Sequence, residues 1–248
     1  MNKNKWCLAA VFSVVLLLIS VTAYAQDFIA PPESLPGGLS YQQWSGKWWQ
    51  WAYGVLPSES PVFDTTGVYC TVNQSRKGPV WFLAGTNGVG PVTRSCSIPA
   101  TRMIFVPLIN WINDYPCPDP SFQPGPKQSL EQFLTIGFGP NWGVRQNVDH
   151  VTAVSASLDG VPVNDQDLQL PPESSKYRAT SPIFKFNADP SWQAYDPCAG
   201  PGYRGVADGY WIMLKPLPVG LHTLSFSALA VFPTWSTAQN VTYDLTIY

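Results

Sequence analysis

The chain has 248 residues, 14 lysines and arginines against 16 aspartates and glutamates, and only 12% charged residues with 14% aromatic ones. Its basic residues are scattered, so the patch that nucleic-acid binding needs is missing and nucleic acid is excluded as an expected partner. The length suits one large all-β domain, and no linker or internal repeat divides it.

In chain order, Met1 to Ala25 reads as a secretory signal peptide. Lys3 and Lys5 supply the basic start, Leu8 to Val21 the apolar run, and Ala23-Tyr24-Ala25 the small-x-small cleavage pattern. Cleavage after Ala25 leaves 248 − 25 = 223 residues, 12 of them basic (14 − 2) and 16 acidic, a net charge near −4. No later stretch is apolar enough to span a membrane. The expected destination is outside the cytoplasm: periplasm, surface or medium.

Gln26 to Leu39 is rich in proline and glycine and leads into SYQQWSGKWWQWAYGVL, Ser40 to Leu56, with four tryptophans in eight residues. Ser40 and Gln43 form a capping box at a helix start. At 3.6 residues per turn Tyr41, Trp44, Trp48, Trp51, Ala52 and Val55 share one face, with Gln43, Lys47 and Gln50 opposite. The helix is expected to end at Leu56-Pro57. Trp49 lies about 60° outside the apolar arc and Tyr53 a further 40° round. An aromatic pair so placed suits stacking against sugar rings, whose faces present C–H groups to a π surface, although a wide aromatic face also serves plain core packing.

Val68 to Val72 reads as a short strand, Val80 to Ala84 as a compact strand before a glycine-rich turn, and Cys96 to Pro99 as another extended piece. Met103 to Ile109 is apolar on both faces, with Pro107 calling for a bulge or a sheet edge. Asp114 to Gln128 carries five prolines and reads as loop. Ser129 and Gln132 repeat the capping box and predict a short helix from Leu130 to about Ile136. Val151 to Leu158 and Val161 to Val163 flank Asp159-Gly160, the signature of a hairpin with a type I′ turn. Ile183 to Phe186 alternates, Asn187 to Ala207 reads as a long loop, and Tyr210 to Leu214, Leu221 to Phe232 and Val241 to Tyr248 read as three closing strands. Many short strands with Gly, Pro and Asp punctuation predict an all-β fold. The expected form is an antiparallel β-sandwich, Ig-like or jelly-roll-like, with the tryptophan helix and one short middle helix.

Beyond the leader the cysteines are Cys70, Cys96, Cys117 and Cys198. An even count behind a signal peptide implies disulfides, and four cysteines allow three pairings. The favoured pairing is Cys70–Cys96 with Cys117–Cys198, because a strand and a turn could bring the first two together. No Cys-x-x-Cys pair or neighbouring histidine supports a metal site. No metal and no cofactor is expected.

The Trp-x-x-x-Trp-Trp-x-Trp helix, VWFLAG at Val80 to Gly85, Cys96 with Ile98-Pro99 and FVPLIN at Phe105 to Asn110 together resemble a group of uncharacterised secreted bacterial proteins. Tyr177-Arg178 with Ser181-Pro182, DGYW at Asp208 to Trp211 and PLPVGLHTLSF at Pro216 to Phe226 extend that resemblance over most of the chain. It implies a bacterial exported domain and carries over no catalytic residue or ligand.

For function, Trp49 and Tyr53 form one candidate binding place, and Arg204, Asp208 and Tyr210 another, where charge and aromatic rings could line a pocket. Asp149, Asp165, Asp167, Asp189, Asp196 and Asp208 lie in or beside loops and could supply a hydrolase's carboxyl pair, although loop aspartates commonly make turns. Asp165-Gln166-Asp167 lacks the remaining pattern of a calcium loop. His150 and His222 are too few for a histidine-rich metal centre, and His222, at a strand start, is expected to face solvent or bond the backbone. A serine triad through Ser181 or Ser225 has no Gly-x-Ser-x-Gly elbow behind it, and Gly88-Val89-Gly90 is only a fragment of a phosphate loop. The leading expectation is a non-enzymatic exported protein that binds a ligand, a glycan or an envelope or surface protein. The alternatives are a secreted hydrolase, and an envelope assembly component whose last strand, Asn240 to Tyr248, pairs edge to edge with another chain.

Overall fold

In the computed structural model, residues 28–88, 90–163, 168 and 174–248 are described. The stretch read as a signal peptide, Met1 to Ala25, lies outside them, as do Val89 and the Asp165-Gln166-Asp167 stretch. The chain is mostly β, arranged as two sheets with helices over one of them.

The first sheet contains β1 (Val80–Phe82), β3 (Met103–Tyr115), β6 (Phe184–Asn187) and β7 (Pro201–Leu214), in the order β1-β3-β7-β6. The second contains β2 (Val92–Ile98), β4 (Val151–Leu158), β5 (Val161–Pro162), β8 (Gly220–Val231) and β9 (Ser236–Ile247), in the order β2-β9-β8-β4-β5. The sandwich-like β architecture is as expected, but both sheets are mixed. β1 runs parallel to β3 and β2 runs parallel to β9, each joined by a long crossing that local sequence patterns do not announce. β9 lies between β2 and β8, so the last strand is not an edge and edge-to-edge assembly through it is excluded.

The tryptophan helix, α1 (Tyr41–Tyr53), opens on the predicted capping box between Ser40 and Gln43 and stops one turn early, at Gly54. Pro57 instead starts a short 3-10 turn through Glu59. Every residue of the predicted apolar face is buried. The three indoles of that face are satisfied one by one: Trp44 Nε1 donates to Pro36 O at 2.7 Å, Trp48 Nε1 to Leu83 O at 2.7 Å, and Trp51 Nε1 to Val72 O at 2.9 Å. Tyr41 donates its hydroxyl to Ala30 O and accepts from Met213 N, both at 2.8 Å, which fixes α1 to β7. Trp48 packs on Trp211, itself stacked on Phe105 with centroids 5.1 Å apart.

α2 (Leu130–Ile136) carries the second predicted capping box, and a further helix, α3 (Val144–Val148), follows it. Residues 68–72 are successive turns rather than a strand, because Asp64 Oδ1 and Oδ2 bind the amides of Thr66 and Tyr69. Pro107 sits at a register shift in β3, the bulge its missing N–H calls for. β3 runs on through Asp114 and Tyr115, so the proline-rich loop starts later than expected, and β7 begins at Pro201, inside the predicted loop. Asp159 and Gly160 both have positive φ, 52° and 76°, as a type I′ turn requires. Cys70–Cys96 and Cys117–Cys198 are the two disulfides. Among the described residues no helix is long and apolar enough to cross a membrane.

Candidate binding cavity

A cavity of about 480 Å³ opens between the C-terminal half of α1, the middle of β3 and the start of β9. Such a volume suits a small organic ligand or one to two sugar rings. Eight of its 22 lining residues are aromatic, far above the 14% of the whole chain, so the cavity wall is enriched in rings.

Each wall has a local cause. The C-terminal half of α1 carries Trp48, Trp49, Ala52 and Tyr53, and these side chains form this wall. Trp49 is half-buried, 5.1 Å by centroid from both Trp48 and Tyr53. The bulge at Pro107 precedes Asn110, Trp111 and Ile112, which line the floor. The loop after β1 is clamped to β9: Thr86 N donates to Gln239 Oε1 at 2.6 Å and Gln239 Nε2 returns to Thr86 O at 2.7 Å. On the far side Asp189 caps the 3-10 turn Pro190–Ala194, which carries Trp192 inward, its Nε1 bonded to Val55 O at 2.7 Å. Tyr195 and Trp235, 61% and 52% exposed, stand at the rim.

At one end of the cavity is a carboxyl pair. Tyr53 donates its hydroxyl to Asp196 Oδ2 at 2.6 Å, and Asp196 Oδ1 accepts from Cys198 N at 3.0 Å. Asp114, from the end of β3, has a carboxyl oxygen within 4.8 Å of one of Asp196. Burial, and then the Asp196 charge, push the Asp114 carboxyl well above its ordinary value. Burial likewise pushes up the Tyr53 phenol, helped by the two carboxyls. The third member of that acidic cluster, Cys198, is tied to Cys117, so its sulfur is no thiolate ligand and two carboxyls alone do not make a metal centre.

Two polar atoms of lining residues, Trp49 Nε1 and Asn110 Oδ1, are buried without a hydrogen-bond partner. Trp81 and Trp211 also have unpaired indoles, but neither lines the cavity.

Of the residues singled out in the sequence, Trp49 and Tyr53 come together here, joined by Asp196 from the loop aspartates. Arg204, Asp208 and Tyr210 do not gather. Arg204 is exposed on β7, while Asp208 and Tyr210 are fully buried. Asp208 is held by Arg178 at 2.6 Å and by Thr180 at 3.0 Å, which makes it a structural anchor. Burial still pushes its carboxyl up, with Arg178 pulling the other way. Asp149 binds the same arginine at 2.6 Å. Ser181 Oγ accepts from Ala207 N and Ser225 Oγ bonds Thr242 Oγ1, so neither serine is engaged with a histidine. His222 contacts Asp159 and Pro218 O, and His150 stacks between Trp142 and Phe232. The residues that sequence reasoning missed are Asp114, Asn110, Trp111, Trp192, Tyr195 and Trp235, which no local spacing connects. Comparisons with known protein families, with curated proteins and with solved structures find no match.

Proposed function

We propose that this is an exported binding protein whose cavity holds a saccharide ring among aromatic side chains, without turning it over. Export is supported by the leader pattern at Met1 to Ala25 and by two disulfides, which form and persist outside the cytoplasm. The resemblance to secreted bacterial proteins agrees with it.

The observation that carries the binding half is the composition of the cavity wall. Rings stand at its floor and rim, while Thr86, Asn87, Asn110 and Gln239 supply a few directed polar groups among them. Apolar faces plus sparse hydrogen-bonding groups match a sugar, which has C–H faces and hydroxyl edges. A stranded buried polar atom costs about 1–3 kcal/mol, so a hydroxyl that reaches Trp49 Nε1 or Asn110 Oδ1 after a small rotation recovers free energy on binding. Hydrolysis is less well supported: Asp196 lines the cavity but Asp114 does not, so the pair does not flank a substrate bond as glycoside hydrolysis requires.

Calorimetric titration of the mature protein with a panel of hexose and hexosamine oligomers tests this reading. Saturable binding that weakens about tenfold or more in Trp49→Ala and in Trp235→Ala is the expected result. Binding unaffected by both substitutions, or none to any saccharide, contradicts it.

A further inference from the structure

The cavity is electrically one-sided. Among the described residues that line it there is no lysine, arginine or histidine, and Asp196 is the one ionisable carboxyl. The walls beside Asp196 are a box of rings: Phe63 lies 5.6 Å from Trp192 and 4.7 Å from Tyr195, and Tyr53 lies 5.1 Å from both Trp49 and Trp192. Aromatic rings attract cations to their faces, most strongly where water is excluded, and a carboxylate in the same box adds a full charge. Behind Asp196 stands the second carboxyl, Asp114, 3% exposed, whose Oδ2 has no hydrogen-bond partner. Burial and the Asp196 charge favour the neutral form of Asp114, so it adds no second negative charge to the box.

Arg94, 1% exposed, lies behind the wall, bonded to the main chain of the lining residue Gly85. Its guanidinium donates to the main-chain oxygens of Asp64, Ala84 and Gly85 and to the Tyr243 hydroxyl, at 2.7 to 3.0 Å. Those hydrogens are used within the protein and do not reach a ligand.

We propose, resting on the saccharide reading above, that the bound sugar carries a free ammonium group beside Asp196, so that the ligand class is unsubstituted amino sugars rather than neutral or N-acetylated ones. Each Asp196 oxygen already accepts one hydrogen bond, from Tyr53 or from Cys198 N, and each keeps a lone pair for an ammonium donor. Acetylation removes the charge and the donor together, and leaves Asp196 with nothing to pair.

The experiment is a calorimetric comparison of glucosamine tetramer, N-acetylglucosamine tetramer, glucose tetramer and galacturonate tetramer, at a mildly acidic pH where the amine is charged. Tetramethylammonium serves as a bare cation. The expected result is that the glucosamine tetramer binds about tenfold or more tighter than the other three. In Asp196→Asn that preference falls to about twofold while binding of the neutral tetramers persists. Persistence of neutral binding shows that the variant is folded, and Tyr195→Ala at the exposed rim provides a second variant, expected to weaken tetramethylammonium binding.

Equal or tighter binding of the neutral tetramers overturns the ammonium inference and leaves the saccharide reading standing. Tighter binding of the galacturonate overturns it as well, since no cationic side chain among the described lining residues favours a carboxylate. Asp196-dependent binding of tetramethylammonium without any saccharide binding overturns the saccharide reading and keeps the cation site. Binding of none of the probes overturns both.

Discussion

Arg178 shows how one side chain decides what a neighbouring residue can do. Its guanidinium bonds Asp208 on β7, Asp149 after α3 and the carbonyl of Arg145 within α3, so it ties three segments together. Its side chain is 5% exposed and that of Asp208 not at all, which places the pair in a poorly solvated site. Arg178→Met leaves a buried carboxyl without its partner, and a loss of about 3–5 kcal/mol is expected in denaturant unfolding. A loss under about 1 kcal/mol would contradict that account. His222 offers a test of sign. Its Nδ1 lies 2.7 Å from Asp159 Oδ2 and its Nε2 3.0 Å from Pro218 O, and only the imidazolium can donate to both. Although burial opposes it, the Asp159 and Pro218 hydrogen bonds raise its pKa above 6.5. A raised folded-state value means stability that is complete below 6.5 and lost as pH rises through the folded value. Thermal unfolding across that window should therefore show a decline that His222→Ala abolishes; an unchanged slope in the variant would refute the assignment.

At the scale of elements, two features hold the cavity in shape. The capping box at Ser40 anchors the start of α1, and Ser40→Ala is expected to cost about 1 kcal/mol, read from the denaturation midpoint. The Cys117–Cys198 disulfide closes a separation of 81 residues and fixes the loop that presents Asp196, two residues away. Replacing both cysteines by serine is expected to lower stability by about 2–5 kcal/mol. It should also weaken ligand binding, because Asp196 and Tyr195 lose their anchor. Full affinity in the double variant would show that the loop is positioned without it. The elements themselves differed in legibility. α1 and α2 were readable because a capping box and a helical repeat are local signals, and the Asp159-Gly160 hairpin because its turn chemistry is local. Residues 68–72 misled, since an apolar-polar run of that length is satisfied by turns around Asp64 as well as by a strand. Pro201-Gly202 read as loop, but pairing with β6 extends β7 across it. The proline stands at the first position of the strand, where its missing N–H costs the ladder little.

For the whole molecule, alternation and turn residues foretold a two-layer β architecture, whereas the parallel β1–β3 and β2–β9 pairings depend on contacts far apart in sequence. The cavity shares that property. It draws on residues 48–53, 62–63, 85–88, 107–112, 192–197 and 235–239, and of these only the first carried an aromatic signal in its own spacing. Trp49 stood out because it falls off the apolar face of its helix. Trp111, Trp192 and Trp235 each look like ordinary core or turn residues until the fold gathers them. Asp196 was one of six loop aspartates without distinction, and Asp114 became its neighbour only because β3 runs further than its apolar stretch suggested.

The most direct measurement of the central claim is the set of tryptophan indole N–H resonances, followed by NMR as an amino-sugar oligomer is added. Trp44 and Trp51 are bonded to carbonyls away from the cavity, whereas Trp49 has no partner and Trp235 stands at the rim. The Trp49 and Trp235 signals are expected to move saturably and together, with those of Trp44 and Trp51 unchanged. Saturable movement confined to tryptophans outside the cavity, such as Trp142, or no movement at any indole, would contradict the account.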